Sequence, residues 1–449
     1  MTTDLFDQVP AGWSPRTLES VCTKVTSGGT PSRQSPAFYV NGVWPWVKTQ
    51  ELVDAWVDET EELITEDAVR GSSAKVLPTN TLLLAMYGAT VGQLGILKRP
   101  MTCNQACCAL LVDEQEANFR FVYYLLLSAR ARIRAQSTGA AQQNLSGTQI
   151  KQFRFAFPEP SVQRAMARVL GTLDDKIELN RRMSQTMEAI AQAIFRSWFV
   201  DFDPVVALSD GQDPMQVANR FGLPSEVVSL FATEFVEADG QVTPAGWKLS
   251  TLGQEVKTHG GLLQTGPFGS QLHASDYTDE GVPVVMPQDL VNRRIATGRI
   301  ARIPQDTADG LKRHMLKAGD VVYSRRGDVE RHALVSPREV GWLCGTGCLL
   351  VRMGSGWPSQ AYLSETLNDK TTREWIVRHA VGATMPNLNT SILASVPLLI
   401  PPAPLLQHFE SVVGTLREQQ EALSSEAESL AAVRDELLPR LLSGELVVA

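Results

Sequence analysis

The chain has 449 residues, 43% of them hydrophobic, and a formal net charge of −8. That apolar share suffices for two hydrophobic cores and excludes a disordered chain. No N-terminal leader pattern is present and no apolar run approaches the roughly 18 residues of a membrane span, so a chain in the cytoplasm, without membrane contact, is expected.

Excess acid argues against a nucleic-acid partner unless it is segregated. It is segregated here. Residues 1–160 carry 14 basic and 15 acidic groups and residues 244–400 carry 17 and 14, whereas 200–243 carry 1 and 8 and 401–449 carry 3 and 8. Both globular regions are thus close to neutral, and a local basic face on either is allowed.

The first region, 1–160, opens with Pro10-Ala11-Gly12-Trp13, which returns as Pro244-Ala245-Gly246-Trp247. Further landmarks return at nearly the same offset: Gly88 with Gly327, Cys103 and Cys107 with Cys344 and Cys348, and Asn144-Leu145 with Asn387-Leu388. A unit this long is a whole domain, not a solenoid repeat. Short apolar runs at Leu82 to Met86 and Ala109 to Val112, and in the second copy at Val284 to Met286, Asp320 to Ser324 and Leu349 to Arg352, predict a mostly β platform with little helix. The six cysteines, Cys22, Cys103, Cys107, Cys108, Cys344 and Cys348, have CxxxC rather than CxxC spacing and no histidine pair, which predicts reduced, buried strand residues and no metal site.

From Ser161 an unbroken helical pattern runs through 161–200. Its heptad rows are Met166, Leu173, Asn180, Met187 and Ile194, with Leu170, Ile177, Ser184, Ala191 and Trp198. An acidic linker is expected over 201–243, the second domain over 244–403, and a second helix over 404–442 before a tail at 443–449. The second helix has rows Phe409, Leu416, Leu423, Leu430 and Leu437, with Val413, Gln420, Ala427, Arg434 and Leu441. These seams predict an antiparallel coiled coil, since each helix leaves one domain and the linker must lead into the next. Asn180 is the polar seam residue that fixes register, and Pro439 is expected to end or kink the second helix. About 39 helical residues make a rod near 58 Å, against roughly 34 Å for one turn of DNA.

Four loops recur in both copies with residue types suited to DNA. The first holds Ser27, Gly28, Gly29, Thr30, Ser32 and Arg33, against Gln264, Thr265, Gly266, Phe268 and Ser270. Their glycines and hydroxyls suit close approach to phosphate. The second holds Lys48, Thr49 and Gln50, against Gln288; the third Tyr87, against Arg325 and Arg326; the fourth Gln143 and Asn144, against Asn387. Arginine pairs with guanine and glutamine or asparagine with adenine, so these types suit base edges. Phosphate-loop, nucleophile-elbow, zinc-pair and amino-methyltransferase signatures are all missing. Asp174-Asp175-Lys176 and Glu255-Val256-Lys257 have the tail of a nuclease cluster but lack a consistent setting, so no catalytic residue is assigned.

The stretch Leu173-Asp174-Asp175-Lys176-Ile177-Glu178-Leu179-Asn180-Arg181-Arg182, followed by Ser197-Trp198-Phe199-Val200-Asp201-Phe202-Asp203-Pro204, resembles the central region of type I restriction-modification specificity subunits. Ser27 to Ser32, Tyr87 to Gly92, Asn104-Gln105-Ala106 and Gly266 to Ser270 are similar to their target recognition domains. The resemblance implies an α+β chain of two β-rich target recognition domains joined by an antiparallel coiled coil, with a pseudo-two-fold internal repeat. It implies that each domain reads one half of a bipartite, asymmetric target on double-stranded DNA while the helices set the spacer. Two modification subunits would be seated by the helices, with Leu173, Ile177, Trp198, Phe199, Leu416, Leu423 and Leu430 as candidate contacts. S-adenosylmethionine is then expected on those methyltransferase subunits, and ATP and Mg on two restriction subunits, with no cofactor on this chain. The alternatives are a self-contained nuclease or methyltransferase with degenerate motifs, and a coiled-coil adaptor that does not touch DNA.

Overall fold

The computed structural model describes residues 2–137, 144–238, 240–269, 271–382 and 386–448. The chain divides into two compact units: Met1–Arg181 with Ser425–Ala449, and Arg182–Ser424. Each unit therefore holds one β-rich domain and a section of both long helices.

In the first unit a five-stranded sheet runs in the order Cys22–Ser27, Cys107–Val112, Leu82–Ala85, Leu94–Leu97, Ala55–Val57. Leu82–Ala85 is apolar at every position because both faces are covered. Side chains alternate across the pleat: Leu82, Leu84, Cys108 and Leu110 enter one core, and Leu83, Ala85, Cys107 and Ala109 the other. A smaller sheet sets Trp44–Val47 parallel to Thr102–Cys103, with Val47 opposite Cys103.

The second unit repeats this plan. Its four-stranded sheet runs Leu262–Thr265, Cys348–Arg352, Val321–Ser324, His332–Leu334, and Val282–Val285 lies parallel to Leu343–Cys344 with Val285 opposite Cys344. The registers correspond as well: Ala85 faces Cys107 and Ser324 faces Cys348, the two cysteines that the repeat had already aligned. The fold class is the α+β internal repeat expected.

One expectation needs correction. The domains contain more helix than the turn-rich sequence suggested, including Phe119–Ser128, Gln360–Asn368 and Lys370–His379. The first is capped by the Asn118 side chain, and Asn118 in turn donates its backbone N–H to the buried Gln163 of the long helix (3.1 Å). The acidic linker, 201–243, is itself folded. It forms helices Asp203–Ser209, Pro214–Phe221 and Ser225–Val228 and a hairpin of Phe235–Ala238 with Gln241–Pro244. Val205, Val227 and Phe231 enter the second unit's core, so the apolar residues scattered among its acids suffice to fold it.

The long helices are Pro160–Phe199 and Ala403–Leu442. In the first unit Arg434 donates to Asp174 (2.8 Å) and Asn180 to Glu426 (2.8 Å), while Met166 and Leu170 share a core with Leu438 and Leu441. In the second unit Gln420 donates to the Ser184 carbonyl (2.8 Å) and Trp198 packs on Phe409 with ring centroids 5.8 Å apart. Numbering climbs along one helix as it falls along the other in each unit, which is antiparallel pairing. Every position of the four heptad rows is buried or half-buried. Pro439 lies inside the second helix, which continues to Leu442. Burial of Leu438 and Leu441, about 1.5–3 kcal/mol each, offsets the roughly 3 kcal/mol cost of an interior proline. No helix among the described residues is long and apolar enough to cross a membrane.

Candidate nucleic-acid interface

The recurring loops converge on one short segment in each unit. In the first it is 103–107. Its Asn104 N–H donates to Val47 O (2.9 Å), its Ala106 carbonyl accepts from Met86 (2.9 Å), and its Cys103 and Cys107 carbonyls accept from Gly29 (2.9 Å) and Gly28 (3.2 Å). Tyr87 then bridges to Asn144, and Leu145 donates to Met86 O (2.9 Å). In the second unit the segment is 344–348: Gly345 donates to Val285 O (2.9 Å), Arg325 to Gly347 O (2.8 Å) and Gly266 to Cys348 O (2.9 Å). Arg326 bridges to Asn387, and Leu388 donates to Arg325 O (2.8 Å). A backbone hub thus fixes all four loops.

The side chains of Cys103, Cys107, Cys108, Cys344 and Cys348 enter the cores, Cys348 Sγ also donating to the Val285 carbonyl (3.4 Å). Burial pushes the thiols of Cys108 and Cys344 up to about 12 and raises Cys107 and Cys348 as well, with the neighbouring Cys103 sulfur the largest cause at Cys107. They remain protonated packing residues.

The glycines of the first loop do not approach a ligand. Gly28, Gly29 and Gly266 are buried, and their N–H groups are already donated within the hub. A Cβ at Gly28 would overlap the Cys103 carbonyl oxygen, one at Gly29 the Ser73–Ala74 backbone, and one at Gly266 the Gly345 carbonyl oxygen. Close packing of backbone on backbone, not phosphate, selects glycine there.

Two of the expected cations are also committed elsewhere. Arg33 makes a bidentate pair with Glu62 (2.6 and 3.0 Å) and lies over Tyr39 and Trp46, while Lys48 contacts Glu61 (2.5 Å) and Glu62 (3.1 Å). The Arg33 guanidinium above all, with Lys48, brings the Glu62 carboxyl down to about 2. This cluster is locally neutral.

What stays exposed is better suited to bases. Gln50 and Gln288 stand outward on matching tight turns, Thr49–Glu51 and Pro287–Asp289. Each turn is closed by an acid that accepts from the backbone ahead of it, Glu51 from Lys48 (2.6 Å) and Asp289 from Met286 (2.8 Å). Thr49 is buried beneath its turn. Ser27, Thr30, Ser32, Tyr87 and Asn144 are exposed, the Thr30 hydroxyl donating to the Gln105 side chain. In the second unit Phe268 is 52% exposed with the Arg325 guanidinium 5.9 Å above its ring, Arg326 is exposed, and Thr265 and Asn387 are half-buried. Gln143 and Ser270 lie outside the described residues.

The sequence reading missed a pair of cations. Lys75 donates to the Thr26 hydroxyl (2.8 Å), and at the equivalent place Arg313 offers its carbonyl to Gln264 (2.6 Å) and its guanidinium to Gln271 (3.4 Å). The signal was present, since Lys75 and Arg313 are separated by the same offset as Thr26 and Gln264, but no motif surrounds either.

The candidate contacts for other subunits are corrected too. Trp198 and Phe199 are buried against Phe409, Phe231 and Tyr362 and Leu416 packs on the same core, while Leu173, Ile177, Leu423 and Leu430 are half-buried on the long helices. The acidic stretches are structural: Asp174 accepts from Tyr124 and Arg434, and buried Glu255 from Ser250 and Lys248.

Comparison with known proteins agrees with this architecture. The profile of the type I restriction modification DNA specificity domain matches residues 10–189. The MjaIX type I restriction enzyme specificity subunit of Methanocaldococcus jannaschii is 26% identical over 449 aligned residues, covering 98% of this chain and 95% of the relative. The HindI specificity subunit of Haemophilus influenzae is also 26% identical, over 75% of this chain and 80% of the relative. In fold, the chain is similar to the crystal structure of a type I S subunit from M. genitalium, with a TM-score of 0.56 at 17% identity, covering 98% of this chain and 99% of that one. Residues 10–189 thus match the type I restriction modification DNA specificity domain, and nearly the whole length of the chain is similar to specificity subunits of type I restriction enzymes.

Proposed function

We propose that each unit reads one half of a bipartite, asymmetric DNA target and that the chain performs no catalysis itself. One observation carries this reading: the two hubs share a backbone yet present different side chains at equivalent positions, such as Tyr87 against Arg326 and Thr30 against Phe268. Equal backbones dock alike on a duplex, and unequal side chains select unequal bases. Two readers on one chain then specify two different half-sites.

The paired helices set the unread spacer in this scheme and seat two modification subunits. Those subunits bring S-adenosylmethionine to the base being methylated, and two restriction subunits bring ATP and Mg in a complex that also cleaves. The DNA-facing residues of this chain orient and select; no site for either group is proposed on it.

Co-expression with the modification subunits in a host without adenine methylation, followed by sequencing of methylated DNA, tests the reading. The expected motif has two dissimilar halves around an unspecified spacer. A continuous motif, or a palindrome, overturns it.

A further inference from the structure

The hub permits the two readers to be compared position by position, and the largest chemical difference falls at one turn. After strand Leu82–Ala85 the first unit places Met86 and Tyr87; after Val321–Ser324 the second places Arg325 and Arg326. The backbones match at each step. Met86 and Arg325 donate to the hub, Leu145 and Leu388 donate back to them, Tyr87 and Arg326 bridge to Asn144 and Asn387, and Gly88 and Gly327 follow with φ of 69° and 76°. An apolar and a phenolic side chain on one frame are thus replaced by two guanidinium groups on the other.

The two arginines differ from each other. Arg325 is half-buried, lies over Phe268, and has a buried Nε without a hydrogen-bond partner among the described residues. Arg326 is exposed, and its backbone is held from three sides: the bridge to Asn387, the Ser324 hydroxyl donating to its carbonyl (3.1 Å), and Gly327 donating to Pro386 O (3.1 Å). Neither forms an ion pair among the described residues, in contrast to Arg33 and Lys48 in the other unit. Arg326 is a free cationic fork on a fixed stem.

Such a group matches one base edge. Guanine offers O6 and N7 as two acceptors in the major groove, which a guanidinium meets with two parallel N–H donors; adenine puts its N6 donor where O6 would be, and two donors then oppose each other. A phosphate contact gains little from a rigid stem, because phosphate oxygens accept from many directions, whereas a bidentate base contact requires one direction. Resting on the reading that each unit contacts a half-site, we propose that Arg326 reads guanine in the half-site of the second unit, with Arg325 held on Phe268 beside it. The first unit, with Tyr87 at this place, makes no such guanine contact.

The test uses the full chain assembled with its modification subunits, and sequencing of methylated DNA from cells expressing it. Gln288→Ala first identifies the half-site belonging to the second unit. That half-site is expected to contain a G·C pair, and Arg326→Ala is expected to lower the preference for G·C over A·T at that single pair by roughly tenfold to a hundredfold. The other half-site and the thermal unfolding midpoint stay as in wild type. Arg326→Gln, which exchanges a guanine fork for an adenine one, is expected to move the preference toward A·T at the same pair. A half-site built only of A·T pairs overturns the proposal, as does an unchanged preference in Arg326→Ala or an equal weakening on all sequences, the mark of a phosphate contact. If the wild-type complex shows no bipartite motif, or Gln288→Ala alters neither half, the half-site reading itself fails and the assignment of Arg326 falls with it.

Discussion

At Gly28 and Gly266 the missing side chain makes room for a neighbouring carbonyl oxygen. Alanine at either position forces two hub segments apart, with an expected loss of about 1–3 kcal/mol in a urea titration. A stability within error of wild type would show that the hub yields easily. Glycine next to serine and threonine reads in a sequence as a phosphate turn or as a packing turn alike, because both exclude a Cβ; only the position of the opposing strand separates them. Gln50 and Gln288 stand outward, as side chains chosen for base edges must. Their chemistry is in the side chain, and the acid directly after each, Glu51 or Asp289, closes the turn on the backbone three residues before it.

Arg33 and Lys48 show where single-residue chemistry is insufficient. Their partners Glu61 and Glu62 lie 13 or more residues away and meet them only through the pairing of Trp44–Val47 with Leu63–Ile64. Because the Glu62 carboxyl is lowered from 4.5 to about 2, the native state binds its proton less readily than the unfolded chain does. The cluster's contribution is therefore complete above about 4.5 and is lost as the pH falls toward about 2. Comparing urea midpoints of wild type and Glu62→Gln across that interval should show a difference below about 1 kcal/mol that closes on acidification, the pair being partly solvated. A gap that widens on acidification contradicts this sign.

At the scale of elements, heptad spacing foretold the seam, but not how differently its two ends are secured. In the first unit Asn180 and Lys176 both meet Glu426, at 2.8 and 3.4 Å, and Arg434 meets Asp174, every charged side chain among them partly exposed. In the second, Glu365, only 2% exposed, accepts from Arg293 (2.6 Å) and Arg417 (2.9 Å), and Arg293 also pairs with Glu188 of the first long helix. Glu365→Ala leaves two largely buried guanidinium groups short of a carboxylate, and a destabilisation of about 3–5 kcal/mol is expected by chemical denaturation. Replacement without a measurable effect would mean that water or Glu188 compensates. Nothing local in the sequence announces this network, since its members come from four elements. The folding of 201–243 escaped notice similarly: an acid-rich stretch looks like a spacer until Val205, Val227 and Phe231 are seen to face one core.

For the whole molecule, the charge distribution and the helices set two expectations. With both globular regions near neutrality, the chain alone should hold DNA no better than a non-specific binder, roughly 10⁻⁴–10⁻⁶ M, and gain specific affinity only with its modification subunits. A gel-shift titration in which the lone chain binds its target tightly contradicts that. Removing one heptad from each long helix shortens them by roughly 10 Å, so the spacer in the methylated motif is expected to shrink by about three base pairs at roughly 3.4 Å each. An unaltered spacer removes the ruler role.

The convergence of four loops on residues 103–107 and 344–348 has an evolutionary corollary. Because main-chain bonds tie every loop to the hub, with the Thr30–Gln105 and Thr346–Pro267 side-chain bonds beside them, most outward residues are free to change without disturbing one another's scaffolding. A lineage under pressure to abandon one target and adopt another needs few substitutions, and each intermediate along that route still folds.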